Sequence, residues 1–249
     1  MTIYSTLFCR AMILGCFLAG GAHAQGCALV DKYKLASVMS IDPVLIPLLN
    51  LEIPSCANIV LGDSYAGFLL NATNQPLNGG IRSELAIDFP FVEGDTVEYR
   101  WSVMIPTQDP PGGDSQQWWV IAQWHDQPDP RLGQTWATLK PQSPPVAIYI
   151  ERRNGIVGIG LQGMQGKKNS WAPVPLGVWL KLNATIRWST TTTGSILFSV
   201  EGHPELDSIL SGPNMLNGYK HYFKAGQYRA PSVSKASLIY LKNVRFRQL

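Results

Sequence analysis

From Val178 to Ser189 the chain runs VWLKLNATIRWS, and apolar and polar residues trade places at every step. Val178, Leu180, Leu182, Ala184, Ile186 and Trp188 fall on one side of the alternation. Trp179, Lys181, Asn183, Thr185, Arg187 and Ser189 fall on the other. A period of two is the side-chain period of a β-strand; a helix repeats every 3.6 residues and scatters such a pattern around its whole circumference. One face must therefore be buried and the other wet. The same alternation returns in SILFSVEG and in SLIYLKNVRF near the end of the chain. Another strand pair is visible in AIYIERRNGIVGIG, where Asn154-Gly155 is a strong two-residue hairpin turn. With 23 glycines and 18 prolines to make turns, and space for one short helix within residues 28–50, the expectation is an all-β chain. Half-buried strands need a second sheet to cover them, so the expected form is a two-sheet jelly roll.

The N-terminus is a different kind of segment. Arg10 precedes the apolar run AMILGCFLAGG, and Ala22-His23-Ala24 follows. A basic residue, a short apolar stretch and an A-x-A site describe a secretory signal peptide. The run is well short of the roughly 20 residues that span a bilayer. Residues 1–24 are thus read as a leader for secretion to the periplasm or the extracellular space, and residues 25–249 as one domain. Cleavage removes Arg10, leaving 19 basic against 17 acidic residues, a net charge of +2. That balance gives no reason to expect nucleic acid, and no membrane association is expected, since a lipoprotein reading at Cys16 or Cys27 lacks a good apolar lipobox before either. Of the four cysteines, Cys27 and Cys56 remain, and an exported pair is read most simply as a disulfide.

Some motifs dissolve on inspection. Gly158-Ile-Gly160-Leu-Gln-Gly163 matches a dinucleotide fingerprint, but MQGKKNSWAPVP follows it and no helix can start there. Gly62-Asp63-Ser64 lacks the histidine partner that a serine nucleophile requires. Glu84 and Asp88 lie about 13 Å apart along a strand, beyond the roughly 9.5 Å limit for a glycosidase carboxylate pair.

Three strand-like stretches remain, each collecting polar groups on one face. In IRSELAIDF, Arg82 and Glu84 oppose Ser83, Leu85, Ile87 and Phe89. In QQWWVIAQWH, alternation places Trp119, Gln123 and His125 together. In HYFKAGQYR, Tyr222, Lys224 and Tyr228 share a face across Gly226. Taken singly, each set has an ordinary structural use. Together they supply a guanidinium, an amide, an imidazole, an ammonium and two phenols, without a paired acid or a cysteine nucleophile. This set suits β-elimination from a uronic acid polymer. There, C5 loses a proton next to a carboxylate whose charge must be neutralised, and the C4 oxygen leaves with a proton.

These stretches are similar to the signatures of the jelly-roll polysaccharide lyases. Arg82-Ser83-Glu84, Gln123-Trp124-His125 and Tyr222-Phe223-Lys224-Ala225-Gly226-Gln227-Tyr228 resemble the alginate lyase motifs in order and spacing. The Trp between Gln123 and His125, the segment PPVAIYIERRNG and the ending AGQYRAP look more like the group of glucuronan lyase and heparin lyase I. The resemblance runs from about Gly80 to Phe246. It implies a concanavalin-like jelly roll with a concave cleft, and an enzyme cleaving a 1,4-linked uronate polymer. Glucuronan or another glucuronate-rich polymer comes first as substrate, and alginate or a heparin-like polymer second. It implies Arg82, Gln123, His125 and Tyr228 as catalytic residues. Glu84, Lys224, Trp119, Tyr222 and Arg229 are expected to bind substrate. No cofactor is required, a structural calcium is compatible, no metal ligands are assigned, and the expected state is a monomer. One departure bears on substrate: Leu85 is followed by Ala86 where alginate lyases often carry an arginine. A non-catalytic, lectin-like carbohydrate-binding jelly roll is the alternative.

Overall fold

The computed structural model describes residues 31–77, 79–113, 117–139 and 142–249. The leader and Cys27 lie outside the described residues. Cys56 is disulfide-bonded. Among the described residues there is one α-helix, α1 (Lys32–Val38), capped by Asp31, whose carboxylate accepts from the Tyr33 amide.

Fourteen strands follow in chain order: β1 (Leu49–Glu52), β2 (Ile59–Leu61), β3 (Ala66–Leu70), β4 (Ile81–Asp88), β5 (Thr96–Met104), β6 (Trp119–Asp126) and β7 (Val146–Arg153), then β8 (Ile156–Gln162), β9 (Ala172–Pro173), β10 (Trp179–Arg187), β11 (Ser195–Val200), β12 (Ser208–Ser211), β13 (His221–Arg229) and β14 (Ser237–Gln248). They form two seven-stranded sheets. The front sheet runs β1-β4-β13-β6-β7-β8-β9, and the back sheet β12-β11-β10-β5-β14-β3-β2. Every strand pairing is antiparallel, so each sheet can bury one face and leave the other to solvent. This is the expected jelly-roll sandwich.

Within β10 the alternation does what its period demands, while Val178, ahead of the strand, is exposed and Ser189, beyond it, is buried. Leu180, Leu182, Ala184 and Ile186 are buried in the core, and Lys181 and Arg187 are exposed. The core fills the space between the sheets with Leu85 and Ile87 from β4, Phe89 just after it, Trp124 from β6, Phe223 and Ala225 from β13, and Tyr99, Trp101 and Val103 from β5. His221 belongs to the same interior. Its Nε2 lies 2.7 Å from the Tyr99 hydroxyl, and burial depresses its pKa to about 3, so the ring stays neutral. The hairpin β7–β8 turns at Asn154 and Gly155, both at positive φ (50° and 81°), as a two-residue turn of this kind requires.

A second, smaller apolar cluster sits on the outer face of the front sheet. Val120, Ala147 and Tyr149 are buried there, with Trp171 and Tyr228 packed against them. An outer sheet face with its own apolar patch and buried charges is not a plain solvated surface.

Candidate active site

Strands β4, β13 and β6 are neighbours in the front sheet, and their register lays the three polar motifs out as rows. Arg82 pairs with Tyr228, and Tyr228 with Val120. Ala86 pairs with Lys224, and Lys224 with Gln123. Asp88 pairs with Tyr222, and Tyr222 with His125. Between the first and second rows, Glu84 pairs with Gly226. All of these lie on the outer face, because Leu85, Phe223, Ala225 and Trp124, one residue out of phase, are in the core. Motifs almost 150 residues apart in the chain, from Arg82 to Tyr228, thus share one surface.

The groups in the rows touch. The Arg82 guanidinium carbon lies 3.7 Å from the Tyr228 ring centroid. Its Nη1 donates to Glu52 at 2.8 Å and to Glu84 at 3.4 Å, and its Nε donates to the Leu77 carbonyl at 3.0 Å. Gln123 Nε2 donates to the other Glu84 oxygen at 2.7 Å. Lys224 Nζ lies 2.5 Å from Glu52 and 4.6 Å from the Tyr222 ring centroid. The His125 ring stacks on Tyr222, with planes 7° apart.

The electrostatics follow from burial and partners. Burial works to raise the Glu52 carboxyl, but the Lys224 ammonium and the Arg82 guanidinium outweigh it and hold it below the ordinary value. Glu84 is fully buried, and its desolvation pushes its carboxyl up despite Arg82 and Lys224. Burial also raises the Tyr228 phenol, with Arg82 opposing, and raises Tyr222 much further. Tyr228 therefore rests as a neutral phenol, with a cation against its ring to favour the phenolate.

Glu52 carries no signal in the sequence. It sits at the end of β1, directly across from Glu84, and its carboxylate bridges Arg82 and Lys224. Its place depends on β1 pairing at the edge of the sheet.

Other expected site residues land elsewhere. Alternation placed Trp119 beside Gln123, but Trp119 is in the core. The reason is a β-bulge: pairing with β7 passes from Val120–Tyr149 to Ala122–Ile148, leaving Ile121 as an extra residue. Ile121 and Ala122 both face the core, and upstream of them the phase is inverted. Trp118 takes the outer position instead, 4.6 Å from the Tyr228 ring and 42% exposed.

Arg229, expected to bind substrate, is fully buried on the opposite side from Tyr228. It donates to the Lys235 carbonyl at 2.5 Å and the Asn71 carbonyl at 3.2 Å, and desolvation lowers its pKa to about 10. Its role is to brace a loop. Glu84, also expected to meet substrate, has no exposed surface; it orients Arg82 and Gln123 from below. Gly226 answers to backbone geometry. Its φ is +142°, and a Cβ there would lie 2.2 Å from the Ser83 carbonyl oxygen.

Tyr228 and His125 are not adjacent. His125 stands opposite Tyr222, six residues from Tyr228 along β13, roughly 20 Å at about 3.3 Å per residue. The Tyr228 ring also leans the other way, toward Gly80 and Trp118. Among the described residues, no group of three or more His, Cys, Asp or Glu side chains is placed to hold a metal ion.

Comparison with known proteins adds to this geometry. A family model described as polysaccharide lyase matches residues 54–245. No curated protein matches the sequence. Among solved structures, the endo-β-1,4-glucuronan lyase of the fungus Trichoderma reesei is similar at 15% identity and a TM-score of 0.55, over 81% of this chain and 87% of that one. An alginate lyase of Pseudomonas aeruginosa is 16% identical with a TM-score of 0.50, over 81% and 98%. The catalytic domain of a family 131 glycoside hydrolase from Coprinopsis cinerea is 12% identical with a TM-score of 0.50, over 81% and 77%. At these identities the likeness is one of fold, and the fold alone does not separate lyase from hydrolase.

Proposed function

The chain belongs to the polysaccharide lyase family, and from that premise we propose that it cleaves a 1,4-linked uronate polymer by β-elimination, glucuronan or another glucuronate-rich polysaccharide before alginate or a heparin-like chain. The observation that carries this reading is Tyr228 with the Arg82 guanidinium 3.7 Å from its ring centroid. A phenol beside a fixed cation can give up its proton and take it back, which is what one residue serving as both base and acid must do.

In the proposed step the Tyr228 phenolate takes the C5 proton. The C5–H electron pair forms the C4–C5 double bond, and the C4–O bond breaks. The departing oxygen takes the proton from Tyr228, which ends as the phenolate it began as. Neutralisation of the sugar carboxylate falls to Lys224 and Gln123, neighbours in one row. Gly226, with no side chain, lets the buried Glu84 carboxylate cross β13 to reach Gln123, and the sugar ring is proposed to lie above this pair, between that row and Tyr228. Arg82, 4% exposed and donating to Leu77, Glu52 and Glu84, works through Tyr228 by stabilising its phenolate.

A single proton-transfer residue suits sugars in which H5 and O4 leave from the same side, as in glucuronate. Guluronate and iduronate need a base and an acid on opposite sides, and the separation of His125 from Tyr228 disfavours that pairing. The absence of an arginine at Ala86 points the same way for alginate. The test is a panel of glucuronan, alginate, heparin and hyaluronan, followed by the ultraviolet absorbance of unsaturated uronate ends. Glucuronan is expected to react fastest. New reducing ends without absorbance would mean hydrolysis, and no product from any uronate polymer by folded protein would overturn the proposal.

A further inference from the structure

The catalytic face is not where this protein keeps its positive charge. Around Tyr228 the cations Arg82 and Lys224 are met by the carboxylates of Glu52 and Glu84. The outer face of the back sheet is different. The outward positions of its three central strands, β5, β10 and β14, hold Arg100, Lys181, Arg187, Lys242, Arg245 and Arg247, against Glu98 alone. The mature chain is expected to carry a net charge of only +2, so six cations against one acid on these three strands is a local excess of positive charge.

The arrangement is one that a folded chain has no reason to favour for itself. Arg245 and Arg100 are directly paired across β14 and β5, and like charges at that spacing repel. Arg100 leans onto Glu98 at 2.6 Å, which Arg247 also approaches at 3.3 Å. Arg245 has no ion-pair partner among the described residues. Asn183 pairs with Arg100 from the other side, and its Oδ1 carries no hydrogen bond among the described residues.

The shape is also that of a binding surface. A depression of about 760 Å³ is lined by Arg100, Lys181, Asn183, Ser199 and Arg245, with Asp207 and with Glu201, which pairs with Lys181 at 2.7 Å. Asn243, at positive φ (54°), bulges β14 at its edge. Where the depression ends, half-buried aromatic rings continue along the same face. Trp179 is braced by Tyr65 at 6.1 Å, Tyr65 meets Tyr240 edge-on at 5.2 Å, and the Lys242 ammonium lies 4.1 Å from the Trp179 ring centroid. Arg245 and Lys242, which form no ion pair among the described residues, with neighbouring amide and hydroxyl groups and aromatic rings, are the kinds of group that hold a carboxylated sugar chain.

We propose that the outer face of the back sheet is a second, non-catalytic site for an acidic polysaccharide, which grips a length of polymer on the side of the sandwich opposite Tyr228. The choice of an anionic sugar as occupant rests on the proposed substrate. The site itself rests on the charge and the rings. It makes the enzyme a two-handed one: polymer long enough to reach both faces, or two polymer chains at once, is retained between cleavage events.

The experiment uses the mature protein carrying Tyr228→Phe, so that bound polymer is not consumed, in affinity electrophoresis through gels containing glucuronan. A gel with an uncharged β-glucan and one with polyglutamate are run beside it. The starting protein is expected to be retarded by glucuronan and by neither control. Adding Arg245→Glu, or separately Trp179→Ala, is expected to weaken that retardation at least fivefold with the melting temperature within a few degrees. In the catalytically intact background, Arg245→Glu is expected to lower kcat/KM on long polymer several-fold and leave a tetrasaccharide unaffected. Undiminished retardation in both folded variants overturns the proposal, as does equal retardation by polyglutamate. A dimer in size-exclusion chromatography that Arg245→Glu dissolves also overturns it, since the face would then be a contact between copies. If intact enzyme cleaves no uronate polymer yet the glucuronan retardation depends on Arg245, the catalytic reading fails and the second site stands.

Discussion

Glu52→Gln tests the network on which the whole site rests. The Glu52 carboxylate is within 2.8 Å of Arg82 Nη1 and 2.5 Å of Lys224 Nζ. The three side chains are 19%, 5% and 7% exposed, so solvent screens the contacts little. Lys224 forms no other ion pair among the described residues, while Arg82 retains its contacts with Glu84 at 3.4 Å and the Leu77 carbonyl at 3.0 Å. Removing one partner of a buried pair costs about 3 to 5 kcal/mol. Gln keeps the size and one acceptor oxygen, which argues for the lower end, about 3 kcal/mol. For a domain of this size each kcal/mol moves the melting temperature about 2 to 4 °C, so a fall of about 6 to 12 °C is expected at pH 7. The sign of the pH dependence is set by the direction of the Glu52 shift. Its folded-state carboxyl lies below the ordinary value of 4.5. Its stabilisation is therefore complete above that value and lost as pH falls through the folded one. The gap between wild type and Glu52→Gln should be full at pH 7 and close progressively as pH falls below the ordinary carboxyl value of 4.5. Thermal unfolding by circular dichroism across that range reads both quantities. Equal melting at pH 7, or a gap that stays constant into acid, would refute the network.

Three shorter predictions accompany it. Tyr228→Phe keeps the ring against Arg82 and Trp118, so it should melt within a few degrees of wild type. Its kcat should fall at least about 10²-fold, the low end for a general acid–base residue, and an unchanged rate of unsaturated-product formation removes Tyr228 from the chemistry. The phenolate is the starting base and burial lifts the phenol above its ordinary value. Wild-type kcat/KM should therefore climb about tenfold per pH unit through neutrality into the alkaline range; a plateau beginning near pH 6.5 would indicate an imidazole base instead. Gly226→Ala forces a Cβ to within 2.2 Å of the Ser83 carbonyl oxygen at a φ of +142°, and should cost about 3 kcal/mol in urea unfolding. A neutral result would mean that Gly226 serves only to leave space for ligand.

The periodicity at Leu180–Trp188 was legible because a period of two has one structural meaning, and it carried the all-β class and the sandwich with it. The same rule placed Arg82, Gln123, Lys224 and Tyr228 on a common face correctly, since each motif obeys strict alternation within itself. It failed at Trp119, where a single extra residue at Ile121 inverts the phase and sends that indole into the core. A bulge of this kind has no local signature in WWVIAQWH: consecutive apolar residues fit either face, and pairing with β13 and β7 decides between them. Tyr228 and Arg229 look equally suited to a polyanion on paper, yet one faces the groove and the other braces a loop.

Local pattern is a property of neighbours along the chain, and it was enough for strands, most faces and a short list of candidate groups. Partnership across the sheet is a property of register, and no local pattern contains it. Glu52 met Arg82 and Lys224 only when edge strand β1 paired with β4. Arg245 met Arg100 only when β14 lay beside β5, and His125 was parted from Tyr228 only when β6 set its register on β13. Long-range pairing aligned each of these sets of side chains. The energies of buried charge, unsatisfied cation and stacked ring that follow from it could be assigned only in the folded protein.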